Sequence, residues 1–175
     1  MTVLPVIPAG AEVRGLTLWE PWATLVATGQ KRLETRSWDT SYRGWVAIHA
    51  AKHPADMQAC SSWGVAHALT VACRSTGWAT DALAARFREQ AGKVLAVAEL
   101  IGTADTHSPG GLLGLAWSTH MRRSLELELG DYSPGRYCWL FSNVHRLAAP
   151  VPAVGRQRLW RPQRHELAAL RGLQR

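Results

Sequence analysis

Hydrophobic positions along this chain fall into short blocks separated by Gly, Pro and charged residues, and no apolar stretch is long. Residues 16–18 read as a short strand. Residues 21–28 form a brief helix with Pro21 in its first turn, Trp22, Leu25 and Val26 on one face, and Gly29 as its stop. Residues 31–38 are extended, residues 39–43 turn, and residues 44–50 form a second strand. Pro54 opens a helical stretch to about residue 72, and Asp81 caps a further helix over residues 82–91. Residues 94–101 give the clearest strand, β-branched and apolar with Glu99 inside it. Residues 102–135 are Gly-rich and irregular, with a helix around 113–120. Residues 136–141 form a strand, 144–154 an extended segment containing prolines, and 162–170 a terminal helix.

Strands and helices therefore run in blocks, which predicts an α+β domain with a mainly β core, its sheet mostly antiparallel and its helices packed outside. Five or six short strands suit closure into a small barrel, because closure removes exposed edges. Residues 1–13 are a lead-in, and 14–175 make one domain without linkers, repeats or low-complexity runs. A chain of 175 residues is long enough to bury a single core.

Composition narrows the function classes. No run reaches the roughly 18 apolar residues of a membrane helix, so no membrane partner is expected. The N-terminus lacks a basic n-region and an h-region, which predicts a cytoplasmic protein without a signal peptide. Cys60, Cys73 and Cys138 are an odd count without C-x-x-C spacing, against a disulfide framework or zinc knuckle. The histidines are scattered apart from His49 and His53, so neither a metal nor any other cofactor is expected. Charge is uneven: residues 1–135 balance 12 basic against 12 acidic residues, whereas 136–175 hold eight Arg and only Glu166, which supplies the whole net +7. A genome rich in GC explains Arg over Lys but not the disappearance of acids. Such a C-terminal stretch fits a phosphate-facing patch, with DNA or RNA as the partner. No signal for an oligomeric state is present.

The densest chemistry lies in Gly29-Gln-Lys31-Arg-Leu-Glu34-Thr-Arg36-Ser-Trp38, followed by Tyr42-Arg43-Gly44. On a strand, Glu34, Arg36 and Trp38 share a face, and the acid and base form an ion pair that can hold a ligand edge or simply hold itself. This segment, with Gly15-Leu-Thr-Leu-Trp-Glu-Pro-Trp22-Ala before it, resembles the ASCH domain family of the PUA-like superfamily. Residues 92–100, around Glu99, and the ending Pro150-Val-Pro152 with Gly155 and Trp160 are similar to further family segments. The resemblance implies a small PUA-like β-barrel ringed by helices, with a cleft at its mouth beside the helix that begins at Pro21-Trp22.

Two functions are weighed. One is a nucleic-acid-binding module: Arg156, Arg158, Arg161 and Arg164 track phosphates with Trp160 among them, while Trp22, Lys31, Arg36, Trp38, Tyr42 and Arg43 contribute at the cleft. Nine Trp are too many to be all ligand contacts, so most belong to the core. The other function is an amidohydrolase acting on N4-acetylcytidine or a related nucleoside, as in a branch of the family, with Lys31, Glu34 and Glu99 as the catalytic group. Here Glu34 stands where that branch has a hydroxyl, and Thr35 points to the opposite face of a strand. A metal-independent ribonuclease, with Lys31 and Tyr42 as acid–base groups, is a further variant of the enzyme reading.

Overall fold

The computed structural model describes residues 7–107 and 125–172. Six strands form one mixed sheet: β1 (Val13–Leu18), β2 (Leu33–Arg36), β3 (Gly44–Ala50), β4 (Lys93–Asp105), β5 (Tyr137–Pro152) and β6 (Leu159–Trp160), in the spatial order β2-β5-β4-β3-β1-β6. Only β1 and β3 run parallel; every other neighbouring pair is antiparallel. Among the described residues the helices are α1 (Trp22–Ala27), α2 (Met57–Ser61), α3 (Trp63–Thr76), α4 (Leu83–Gln90) and α5 (Arg164–Gly172). The sheet curls into a half-barrel, so the expected closure is incomplete. Its end strands β2 and β6 are not paired with each other, and the gap between them becomes the site.

The two sheet faces bury different partners. On one face Leu16, Leu18, Val46, Ile48, Ala96, Leu100, Trp139 and Phe141 pack with Ala23, Val26 and Ala27 of α1. On the other, Val13, Ala47, Val97, Leu147 and Trp160 pack with Leu170 of α5. Leu25 of α1 turns away from the sheet to join Val65, Ala68 and Leu69 of α3, Phe87 of α4 and Leu129. A helix as short as α1 is held by this packing on two sides, since six residues are too few to be stable alone.

Several elements differ from the sequence reading. The single helix expected over 54–72 is two, because Ser62 takes an extended conformation between α2 and α3; the first is capped by Asp56, whose carboxylate accepts from the Ala59 amide at 2.8 Å. Asp81 caps nothing: it lies in a 3₁₀ turn, Thr80–Ala82, and α4 starts without a side-chain cap. The segments expected at 136–141 and 144–154 are one strand, β5, whose register against β4 slips repeatedly. Val94 faces Val151 while Ala96 faces Arg146, so four residues of β5 bulge opposite Leu95, and Pro150 is tolerated there because no ladder bond is required of it. The helix expected around 113–120 lies outside the described residues.

The two-residue strand β6 pairs with Gly15 and Leu16 of β1. Trp160 is 4% exposed, and its indole N–H donates to the Thr17 hydroxyl at 3.1 Å. A Cβ on Gly15 would stand 2.2–2.5 Å from the Trp160 ring. Gly15→Ala is therefore expected to push Trp160 out and cost roughly 1–2 kcal/mol, read as a lower urea midpoint with changed tryptophan fluorescence.

Candidate functional site at the open seam of the half-barrel

The site is set by how the chain leaves α1. Gly29 adopts φ +75°, and the amides of Gln30 and Lys31 both donate to the Leu25 carbonyl at 2.9 and 3.0 Å. This reversal drives Lys31 inward, where it is 1% exposed. Its ammonium donates to the Leu33 carbonyl and to the Leu129 carbonyl (2.6 Å), and lies 3.6 Å from a Glu34 oxygen. The indole of Trp22 lies 5.7 Å from it. Two of its N–H groups thus have carbonyl acceptors, and the Glu34 carboxylate balances its charge.

The second support is Glu126, in a 3₁₀ turn at Leu125–Leu129. Its buried carboxylate accepts from the Arg32 amide at 2.5 Å and the Leu33 amide at 3.3 Å, and its carbonyl accepts from the Tyr132 hydroxyl. Glu126 thereby pins the start of β2, a strand of four residues paired on one side only, to β5. Cys138, across from Thr35, is no nucleophile: burial pushes its thiol up to about 12.

Glu34 pairs across the ladder with Trp139, and Thr35 with Cys138, so their side chains lie on opposite faces as the sequence implied. The second Glu34 oxygen lies 3.5 Å from Arg36, whose guanidinium donates to the Thr17 carbonyl at 3.3 Å. Because β6 covers only Gly15 and Leu16, the edge of β1 at Thr17 is free to meet Arg36. A side chain bridges the seam where a barrel would have backbone bonds.

A cleft of about 520 Å³ opens at this seam, within the roughly 300–1,000 Å³ of small-ligand sites. Lys31, Glu34, Thr35 and Arg36 lie along its floor; Thr17, Leu18, Trp19 and Trp22 form one wall, and Glu128, Leu129, Gly130, Asp131 and Arg136 another. Trp19 is 53% exposed and stacks on His53 at 4.1 Å with the rings nearly parallel, so its indole is held flat. Arg136 lies 3.3 Å from the Asp131 carboxylate and donates to the Thr35 carbonyl at 3.2 Å.

The remaining candidates divide clearly. Trp38 is half-buried, meets Trp139 edge-on at 4.6 Å, and has the Arg158 guanidinium over its ring at 5.5 Å. Arg158 thus sits beside the Arg36 end of the cleft. Arg156, Arg161 and Arg164 are exposed, with Arg161 only 3.8 Å from Glu12. The buried ring of Trp160 packs and positions rather than offering a stacking face. Tyr42 and Arg43 do not line the cleft. The Tyr42 hydroxyl lies 2.8 Å from the Trp45 carbonyl, and Arg43 pins the 39–43 turn through Thr40, Tyr42 and Thr103. Glu99 lies outside it too, on the face opposite Leu100. It accepts from the Asn143 side chain at 2.7 Å, at a bulge where Asn143 has φ +44°.

Trp19, Glu126, Glu128 and Arg136 were not singled out by sequence reasoning. Trp19 was within reach, as an indole in the Gly15–Ala23 motif; Glu126 and Glu128 sit in a stretch without periodicity, and Arg136 at the start of an expected strand. Glu166, the one acid of the basic tail, is buried and accepts from the Val154 and Gln163 amides at 2.9 and 2.6 Å, which locks α5 and the 154–161 segment together.

Comparison with known proteins agrees with this architecture. The model of the ASCH domain matches residues 16–112. The crystal structure of ASCH from Zymomonas mobilis is similar at a TM-score of 0.52 and 15% identity, covering 93% of this chain and 95% of that one. Crystal structures of a serine-to-alanine and a tyrosine-to-phenylalanine mutant of the Zymomonas mobilis protein give TM-scores of 0.51, at 15% and 14% identity. Each covers 93% of this chain, and 96% and 98% of the other. At that identity the likeness is one of fold. No curated protein sequence matches significantly. The motif around Lys31, which builds the floor of the seam, lies inside the matched segment, and the chain belongs to the ASCH domain family.

Proposed function

We propose that this chain is a nucleic-acid-binding module that takes an unpaired base into the seam cleft and holds the flanking phosphates on exposed arginines. The observation that carries this reading is the alignment of an exposed, flat indole with a basic rim: Trp19 lines the cleft, and Arg36, Trp38 and Arg158 run outward from it. An indole stacks on an unpaired base for roughly 1–3 kcal/mol and tolerates any base, while guanidinium groups neutralise phosphates. Within the cleft Lys31, Arg36 and Arg136 are matched by Glu34, Glu128 and Asp131, a balance that suits a neutral polar base better than a phosphate.

The arrangement favours binding over hydrolysis. The Lys31 Nζ is held by the Leu33 and Leu129 carbonyls beside Glu34 rather than aimed at a substrate, and Glu99 lies outside the cleft.

Fluorescence anisotropy with labelled single- and double-stranded DNA and RNA at low and moderate salt tests the proposal. Single strands are expected to bind with an affinity that falls steeply with salt. The double variant Arg156→Glu, Arg158→Glu is expected to weaken binding at least about tenfold for every sequence and to flatten the salt dependence. Unchanged affinity in that variant refutes the role of the rim, and absence of binding at low salt refutes the module.

A further inference from the structure

The cleft has unlike ends. Along its floor the Leu129 carbonyl, the Lys31 ammonium, the Glu34 carboxylate, the Arg36 guanidinium and the Thr17 carbonyl follow one another in a line. Arg36 therefore stands at the end opposite Leu129, and Arg136 joins it there by donating to the Thr35 carbonyl. Asp131 is engaged by Arg136 and by the Ser133 amide. Glu128, next to Leu129, lines the cleft and is exposed; its side chain lies against Gly64 of α3, and its carboxylate has no hydrogen-bond or ion-pair partner among the described residues. At the other end Arg36 is extended outward by Trp38 and Arg158.

An uncommitted carboxylate only accepts hydrogen bonds. Nucleobases differ in what they offer it. Cytosine and adenine carry an exocyclic amino donor on the edge where uracil and thymine carry a carbonyl oxygen. A carboxylate attracts the amino group and repels the oxygen. The cationic end accepts the negatively charged backbone. Resting on the base-pocket reading above, we propose that Glu128 makes the cleft selective for bases with an exocyclic amino group, with the strand's phosphates directed toward Arg36 and Arg158.

The test measures anisotropy of three labelled RNA pentamers, UUCUU, UUAUU and UUUUU, at one low salt concentration. The first two are expected to bind about 5–10-fold tighter than the third. Glu128→Gln is expected to bring all three within about twofold of one another, through loss of the preference rather than loss of binding. Glu89→Gln removes the same charge from exposed α4 and is expected to keep the ratio. Removing any negative charge strengthens binding of all three strands alike, so the ratio isolates the contact with the base. Equal binding of the three pentamers, or an unchanged ratio in Glu128→Gln, overturns the inference and leaves the base pocket standing. Absence of binding by all three overturns the base pocket and the selectivity together.

Discussion

Replacing Lys31 by alanine is expected to destabilise the fold by about 3–5 kcal/mol, an effect on folding before any effect on ligand. The ammonium is buried and satisfies the Leu33 and Leu129 carbonyls together with Glu34. Without it two carbonyls lose their donor, and the Glu34 carboxylate is left below the surface with Arg36 as its remaining ion-pair partner. A space also opens where the side chain was buried, beside the Trp22 ring that its ammonium faces. Urea unfolding of Lys31→Ala against the parent protein measures the loss. A change under about 1 kcal/mol means that the ammonium is not structural, which returns Lys31 to the list of catalytic groups. Lys31→Met keeps the volume and removes only the charge and donors, so it separates packing from hydrogen bonding. Loss of binding or turnover in Lys31→Ala is thus evidence of chemistry only when the variant remains folded.

This outcome reflects what the conspicuous motif encodes. Lys31, Glu34 and Arg36 were legible in the sequence as a dense polar cluster after Gly29, and the structure brings the three together as the floor of one cleft, with Gly29 reversing the chain before them. Their common work is to hold together the seam between β2 and β1, where a two-residue β6 leaves the barrel open. The sequence could not show this, because the groups that complete the cluster are remote: Thr17 in β1, and Glu126 and Leu129 in a stretch that reads as irregular. Glu99 misled for the opposite reason. A lone acid in an apolar strand suggests chemistry, yet its partner is Asn143 at a bulge, and the bulge is set by register rather than by a local signal. The strands at 44–50 and near 94–101 were legible because each buries residues on both faces and reads as a continuous apolar run. The break at Ser62 was marked only by Ser61-Ser62 and Gly64, a weak signal between two Ala-containing runs that each read as helical.

Glu20 carries the second large expectation, and it concerns pH. The residue follows Trp19 and is 1% exposed. Its carboxyl accepts from the Thr24 amide at 3.0 Å and lies 3.0 Å from the Thr24 hydroxyl, which in turn lies 2.9 Å from the Gln90 side-chain oxygen. The hydroxyl has one proton for two acceptors, a conflict that a protonated Glu20 resolves by donating to it. Burial raises the carboxyl from 4.5 to about 7, against the opposing pull of its bonds to Thr24. Between those two values the folded protein keeps a proton that the unfolded chain releases, so the stability this group contributes is present below pH 4.5, is lost as pH rises toward 7, and stays lost above. Glu20→Gln does not titrate, and its amide can serve both Thr24 contacts. At about 1.4 kcal/mol for each pH unit separating folded from unfolded, the variant is expected to be more stable than the parent by about 3–4 kcal/mol at pH 8. The two curves should converge near pH 4. Urea midpoints taken across that range measure the difference; a gap that does not grow with pH shows that folding leaves the titration of Glu20 unshifted and refutes the effect of burial.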